Sequence, residues 1–315
     1  MIKTLLILFT LITFITNLNA QELNKNIDIE EKPFYNYKTP ENFDFLTNIP
    51  DDFVQLYDIS TDPDNLWTWG AIVSSTVLLW YYDDELIKWA EDTGDNLGIQ
   101  GGDEETSQVL LSAGPYPILK VPSDLGSTLY FIGDGTVHLG IMAGFLGYGY
   151  FGDDVKALNV GSQLAEGLFD VAIITQTLKH ITGREAPFKM TAPRGRWDLF
   201  PNQIEYAKDV PKYDAFPSGH LATTMMTTTV LHENYPDNIY ILPVGYTLMG
   251  LLSFQMLNNG VHWASDYPLA IGIGYTIGKI VSKREINKAK DRGRKLTVIP
   301  KIYQDGYGIA LNYSF

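Results

Sequence analysis

Six long apolar stretches constrain this chain more than anything else in it: residues 67–81, 136–151, 158–178, 221–232, 238–257 and 267–281, parted by Gly-, Pro- and Asp-rich connections. Each is too long and too poor in charge for a β-strand, and each reads as a helix buried on most of its sides. Such helices satisfy their backbones internally and must cover their apolar surface against one another. The expected fold is therefore all-α, a bundle of five or six core helices. No internal repeat or low-complexity segment breaks the pattern. Once an N-terminal segment of twenty residues is set aside, about 295 of the 315 residues remain, enough for one large domain.

That N-terminal segment, MIKTLLILFTLITFITNLNA, has the charged, apolar, small-residue order of a secretory signal. We expect residues 1–20 to be a signal peptide cut between Ala20 and Gln21, and the protein to be exported to a periplasmic or cell-envelope location. The chain has no cysteine, so disulfides and zinc–thiolate sites are excluded. Residues 21–65 are polar, proline-punctuated and without period, and read as an extended lead-in. The helical domain is expected over 66–285.

The stretch 239–261 is free of charge and long enough to span a bilayer, but it holds Gln255, Asn258 and Asn259. The mean hydropathy of the whole chain is only −0.05. A soluble exported bundle is the expectation, with an integral membrane protein as the alternative. Residues 286–315 begin in a basic run and end in a tail that alternates about Asp305-Gly306, the signature of a β-hairpin. The run SKREINKAKDRGRK reads as a solvated helix end rather than a contact with anionic lipid. A net charge of −14 argues against nucleic acid as a partner. The acids of 50–65 and 83–105 are expected on a solvated surface. GYGYFG at 147–152 follows no strand, so its glycines are assigned to close helix packing and not to a dinucleotide.

Three short segments carry chemistry. In YDAFPSGHLATT, Pro217 suits a helix opening, which places Ser218, Gly219 and His220 at its N-terminus. Unpaired amides and a positive dipole there can hold a phosphate-sized anion. In NNGVHWASDYP, His262 and Asp266 are four residues apart, on one face if a helix has begun, with Asn258 or Asn259 as its cap. A carboxylate on one imidazole nitrogen fixes the tautomer and leaves the other nitrogen as a nucleophile. In LKHITGREAPF, Lys179, His180 and Arg184 close an apolar helix and could neutralise an anion. Taken singly, these are also readable as a plain helix start, a structural hydrogen bond and a solvated helix end.

In this order and spacing the three segments resemble the type 2 phosphatidic acid phosphatase and haloperoxidase superfamily, whose motifs run K-x6-R-P, P-S-G-H and S-R-x5-H-x3-D. Lys179 to Pro187 matches the first, Pro217 to His220 the second, and His262 and Asp266 the third. Both motif arginines are absent: their positions hold Ala186 and Met256, and Gln255 stands where the third motif has serine. The resemblance implies the acid phosphatase type of helical bundle and an exported, metal-independent phosphatase without a cofactor, acting on phosphomonoesters or lipid phosphates. Its partners would be a phosphate-bearing small molecule or lipid, and a membrane surface. By the family's logic His262, oriented by Asp266, attacks phosphorus and becomes a phosphohistidine, and His220 protonates the leaving alcohol and then activates water. Lys179, Ser218 and Gly219 would hold the phosphoryl oxygens, and Arg184, Arg194 or Arg196 would replace the missing charge, Arg184 being counted with the substrate-binding set. His138 and His232 are assigned to structure. The alternative function is a catalytically impaired pseudoenzyme or ligand-binding protein on the same fold. A vanadium haloperoxidase is disfavoured, because vanadate brings more negative charge than a pocket without those arginines can hold.

Overall fold

The computed structural model describes residues 37–41, 43–99, 101, 107–114, 116–293, 296–303 and 306–313. The expected signal segment, its cleavage point and residues 21–36 lie outside them. In chain order the helices are α1 (Asp44–Thr47), α2 (Ile49–Thr61), α3 (Leu66–Tyr81) and α4 (Asp83–Leu97). A hairpin of β1 (Ser107–Ala113) and β2 (Tyr116–Pro122) follows, then α5 (Leu125–Phe131), α6 (Gly135–Phe151), α7 (Val155–Thr182), α8 (Gln203–Lys208), α9 (Gly219–Asn234), α10 (Ile241–Asn258) and α11 (Tyr267–Gly293). A second hairpin, β3 (Leu296–Tyr303) and β4 (Gly306–Tyr313), ends the described chain.

Each of the six apolar stretches is a helix, and the fold is all-α as the sequence indicates. The C-terminal hairpin is present and antiparallel, in register from Leu296 opposite Tyr313 to Tyr303 opposite Gly306. The core is built on α9 and α11, which approach almost backbone to backbone. A Cβ at Gly274 would stand 2.2 Å from the Ala222 carbonyl oxygen, and one at Gly278 would stand 2.6 Å from Thr229 Cβ. Buried threonines are tolerated in α9 because their hydroxyls donate to carbonyls one turn back, Thr228 to Thr224 and Thr229 to Met225, both at 2.8 Å. Helix α7 is capped at its start by Asp154, whose carboxylate accepts from the Ala157 amide at 3.0 Å.

Four features depart from the sequence reading. Residues 44–61 are helical rather than extended. Pro50 and two first-turn acids, Asp51 and Asp52, favour a helix start there. Tertiary contacts hold it: buried Asp52 pairs with Arg284, and Asn48 donates to Glu166 at 2.9 Å. Residues 83–97 form a helix with Asp83, Asp84 and Glu85 in its first turn, and Asp83 is fully buried instead of solvated. The hairpin at 107–122 carried no clear signal. The basic run from 282 continues α11 to Gly293, so no boundary falls at residue 285. Of the GYGYFG glycines, Gly149 does serve close packing, since a Cβ there would meet the Leu158 amide nitrogen at 2.6 Å. Gly147 has nothing within 4 Å.

Helices α3, α6 and α10 contain no Asp, Glu, Lys or Arg, and each leaves large apolar side chains uncovered, Trp67 and Phe151 at 89% and 87% exposure among them. Among the described helices α10 is long and apolar enough to cross a bilayer. The pair α5 and α6, bent by 58°, passes the same test as one unit.

The α9–α11 contact gives a stability test. Gly274→Ala gains about 1 kcal/mol of helix propensity, but its methyl meets a main-chain oxygen that cannot move aside, which costs about 3 kcal/mol. We expect a net loss of about 2 kcal/mol in denaturant unfolding; a midpoint equal to or above that of the parent would contradict the packing described.

Candidate active site

Three chain segments converge at one end of the bundle, and backbone geometry brings them together. Helix α7 stops at Gly183, which adopts φ 53° and donates its amide to the Lys179 carbonyl at 3.0 Å. Only glycine fits here, since a Cβ would come within 2.1 Å of the Asp198 carbonyl oxygen. Beyond it Arg184 forms β-bridges to Trp197 and to Asp214. The Ala215 amide donates to the Arg184 carbonyl at 3.0 Å, and the chain runs on into Ser218, the N-cap of α9. The Ser218 amide donates to the Asp266 carbonyl at 3.2 Å, and the Trp263 indole donates to the Glu185 carbonyl at 2.7 Å. The segments holding Lys179, His220 and His262 are thus tied together by main-chain bonds.

His262 is buried, and its Nδ1 faces the Ala215 carbonyl oxygen at 2.7 Å. A carbonyl only accepts, so Nδ1 carries the proton and Nε2 keeps its lone pair. Among the described residues Nε2 has no hydrogen-bond partner. Asp266, expected to orient this ring, stands 3.5 Å from Nδ1. Its Oδ2 instead accepts from the Trp263 amide at 2.8 Å, and its Oδ1 from Arg184 Nη1 at 2.5 Å. Nor do the two share a helical face: His262 lies in a turn after Gly260 (φ 67°), and Asp266 closes a 3-10 turn ahead of α11. Asn258 ends α10 and Asn259 is its C-cap, so neither opens the segment.

The His220 ring lies 6.1 Å from that of His262, centroid to centroid, and 4.7 Å from the Tyr130 ring. Burial above all, with smaller contributions from the neighbouring His262, Lys179 and His138, pushes the His220 imidazole down to about 3, so it is neutral in the free protein at neutral pH. Lys179 is buried at the end of α7 and pairs with Asp214 at 3.3 Å. Its Nζ lies 4.0 Å from the point where a Cβ on Gly219 would stand, which sets an ammonium beside the open amides of the α9 N-terminus.

The arginines are elsewhere. Arg184 was expected with the substrate-binding groups, but its guanidinium is fully buried between two carboxylates. Nη2 donates to Asp83 at 2.7 Å and to the Arg194 carbonyl at 3.0 Å, while Nη1 donates to Asp266 and, at 2.7 Å, to Ser265. Arg194 lies over the Trp80 ring at 4.8 Å, and Arg196 is exposed. The two positions that lack the motif arginines are apolar and buried, and Met256 Sδ sits 3.5 Å from Ser218 Oγ. Sequence reasoning missed Asp83, Ser265 and the Ala215 carbonyl. Asp83 is one of three consecutive acids, and nothing local separates it from Asp84 and Glu85. His138 is bracketed by Thr227 at 2.9 Å and Thr224 at 3.4 Å, which fits a structural role, and His180 stacks on Tyr206 at 4.0 Å. Among the described residues no group of three or more His, Asp or Glu is placed to hold a metal ion.

Residues 162–288, which hold all three segments, match the PAP2 superfamily. Over 68 residues the chain is 29% identical to the lipid A 1-phosphatase of Porphyromonas gingivalis, a match covering 21% of this chain and 15% of that protein's length. No solved structure matches.

The His220 environment is open to direct measurement. Its folded pKa lies below the 6.5 of a free imidazole, so the unfolded chain binds a proton that the folded chain refuses, and stability drains away as pH falls from 6.5 toward 3. By NMR the His220 ring nitrogens should keep neutral-imidazole shifts down to pH about 4, and His220→Gln should lose less stability than the parent over the acid range. Titration of this ring near pH 6.5 would overturn the assignment.

Proposed function

We propose, on the premise that residues 162–288 of this chain form a PAP2-superfamily domain, that the protein is a phosphatase releasing phosphate from monoesters or lipid phosphates through His262. The observation that carries this reading is the His262 imidazole. Its tautomer is fixed by the Ala215 carbonyl, and its unpaired Nε2 belongs to the same junction as the α9 N-terminus and Lys179. In the reaction, Nε2 forms a bond to phosphorus while the bond from phosphorus to the leaving oxygen breaks. Water then attacks the phosphohistidine, and His220 takes the water's proton as the N–P bond breaks. Because His220 is neutral in the free protein, we assign the proton for the leaving alcohol to the substrate. A phosphomonoester monoanion carries one, so turnover should favour pH below about 6, the second pKa of a phosphate ester.

An exported location follows from the signal-like segment 1–20, and the uncovered apolar faces of α3, α6 and α10 suit apposition to a bilayer, where a lipid phosphate is presented. Lys179, Ser218 and the Gly219 amide are the anion-holding groups, and Asp214 is the ion that phosphate must replace at Lys179.

A second reading, a binding protein that has lost phosphoryl transfer, rests on Met256. Its thioether, 3.5 Å from Ser218 Oγ, stands at the sequence position where the family's motif has arginine. One preorganised donor of that kind is worth about 3–4 kcal/mol, so the loss of two could slow the reaction by roughly ten-thousandfold or more.

The deciding experiment measures phosphate release by the full chain from an aryl phosphate and from lipid phosphates in mixed micelles, with His262→Ala as control. We expect slow release, rising as pH falls through about 6, and a drop of at least about a thousandfold in the variant. Equal rates in both proteins would defeat the phosphatase reading. Phosphate binding without turnover would establish the binding protein instead.

A further inference from the structure

The residue that completes the His262 side of the site lies far from the three motif segments. Asp83, the first residue of α4, is fully buried beneath the 262–266 turn. Its Oδ1 accepts from the Ser265 amide at 3.1 Å. Its Oδ2 accepts from the Ser265 hydroxyl at 2.5 Å and from Arg184 Nη2 at 2.7 Å. Arg184 in turn reaches Asp266 and Ser265 through Nη1, and its guanidinium carbon lies 4.8 Å from the Trp197 ring centroid and 5.2 Å from that of Trp263. Four buried side chains from three separate parts of the chain thus form one connected set of charge-assisted bonds.

We propose that Asp83 is a positioning residue for the nucleophile: by sharing Arg184 with Asp266 and anchoring Ser265 through both its amide and its hydroxyl, it fixes the turn that presents His262. Two constraints support this. His262 is three residues before Ser265, so an anchor on Ser265 limits where the imidazole can stand. Arg184 also serves through its backbone, because its carbonyl holds the Ala215 amide and the Ala215 carbonyl holds His262 Nδ1. The guanidinium is consequently an internal strut, and its charge is spent on two carboxylates rather than on phosphate. Burial raises the Asp83 carboxyl above its ordinary range, against the pull of Arg184 and the Ser265 bond.

This inference rests on the phosphatase reading for its kinetic test but not for its spectroscopic one. Asp83→Asn keeps an acceptor for the Ser265 amide while removing the charge, and Ser265→Ala is a milder cut in the same set. In full-length protein Asp83→Asn should lower kcat by about 10- to 100-fold, as loss of a group that orients a reacting side chain does, and Ser265→Ala by less. KM and inhibition by inorganic phosphate should stay within about threefold of the parent. At fixed pH the imidazole ¹⁵N shifts of His262 should move in both variants, and they should not move in Gly274→Ala, which disturbs packing elsewhere. A rise in KM or weakened phosphate inhibition at unchanged kcat would mean that Asp83 and Arg184 act on the substrate, and would overturn the proposal. So would lowered stability with unchanged kcat and unchanged His262 shifts, the mark of a purely structural pair. If the parent itself releases no phosphate, the shifts alone decide, and unmoved shifts in Asp83→Asn end the proposal.

Discussion

The buried guanidinium of Arg184 is the interaction on which the geometry of this site depends. Taking an arginine and two carboxylates out of water costs several kcal/mol per ion. Each close pair returns about 4 kcal/mol at the effective dielectric of a protein near its surface, and Ser265, the Arg194 carbonyl and two indole faces meet part of what the carboxylates leave over, Arg184 Nε having no hydrogen-bond partner among the described residues. The result is strongly conditional. With every member present it is roughly neutral in stability. With one carboxylate gone, the remaining charges are stranded at a cost of about 3–5 kcal/mol. Such a set specifies an arrangement more than it stabilises one.

That conditionality bears on how the junction of the three segments holds its arrangement without either motif arginine. The groups gathered at this junction are helix amides, one lysine already paired with Asp214, and two imidazoles. The α9 N-terminus contributes roughly half a positive charge, and the thioether of Met256 contributes none. The junction is therefore less positive than the motif pattern implies, and the positive charge of Arg184 beside it is committed to structure. A weakly positive pocket penalises a highly charged anion more than a singly charged one.

Much of this was legible in the sequence, because the long helices are written in composition and length. Charge-poor stretches of fifteen to twenty residues have few other solutions, and Asp305-Gly306 between alternating residues announces its hairpin. Spacing from Lys179 located the vacancy at Ala186, and the vacancy at Met256 does lie against Ser218. What could not be read depends on atoms without sequence identity or on partners far away in the chain. The acceptor for His262 is a main-chain carbonyl, which any residue at 215 would supply. Arg184 could be seen, but its direction could not, because that is set by a carboxylate about a hundred positions earlier. Helix α2 hides for a similar reason: its acids look solvated until Arg284 and the Glu166–Asn48 bond are in view.

The position of Asp83 in the chain bears on how this protein can be divided. The segment shared with the superfamily begins at residue 162, yet one of the two counter-charges of its central arginine is carried by α4, roughly eighty residues upstream. Excising the shared segment as a minimal unit would leave a buried cation with half of its counter-charge. Recombining it with the upstream helices of a relative would succeed only where an acid happens to fall at the same place. The inheritable unit in sequence is therefore smaller than the working unit in charge, and here α2, through Asp52, and α4, through Asp83, belong to the second.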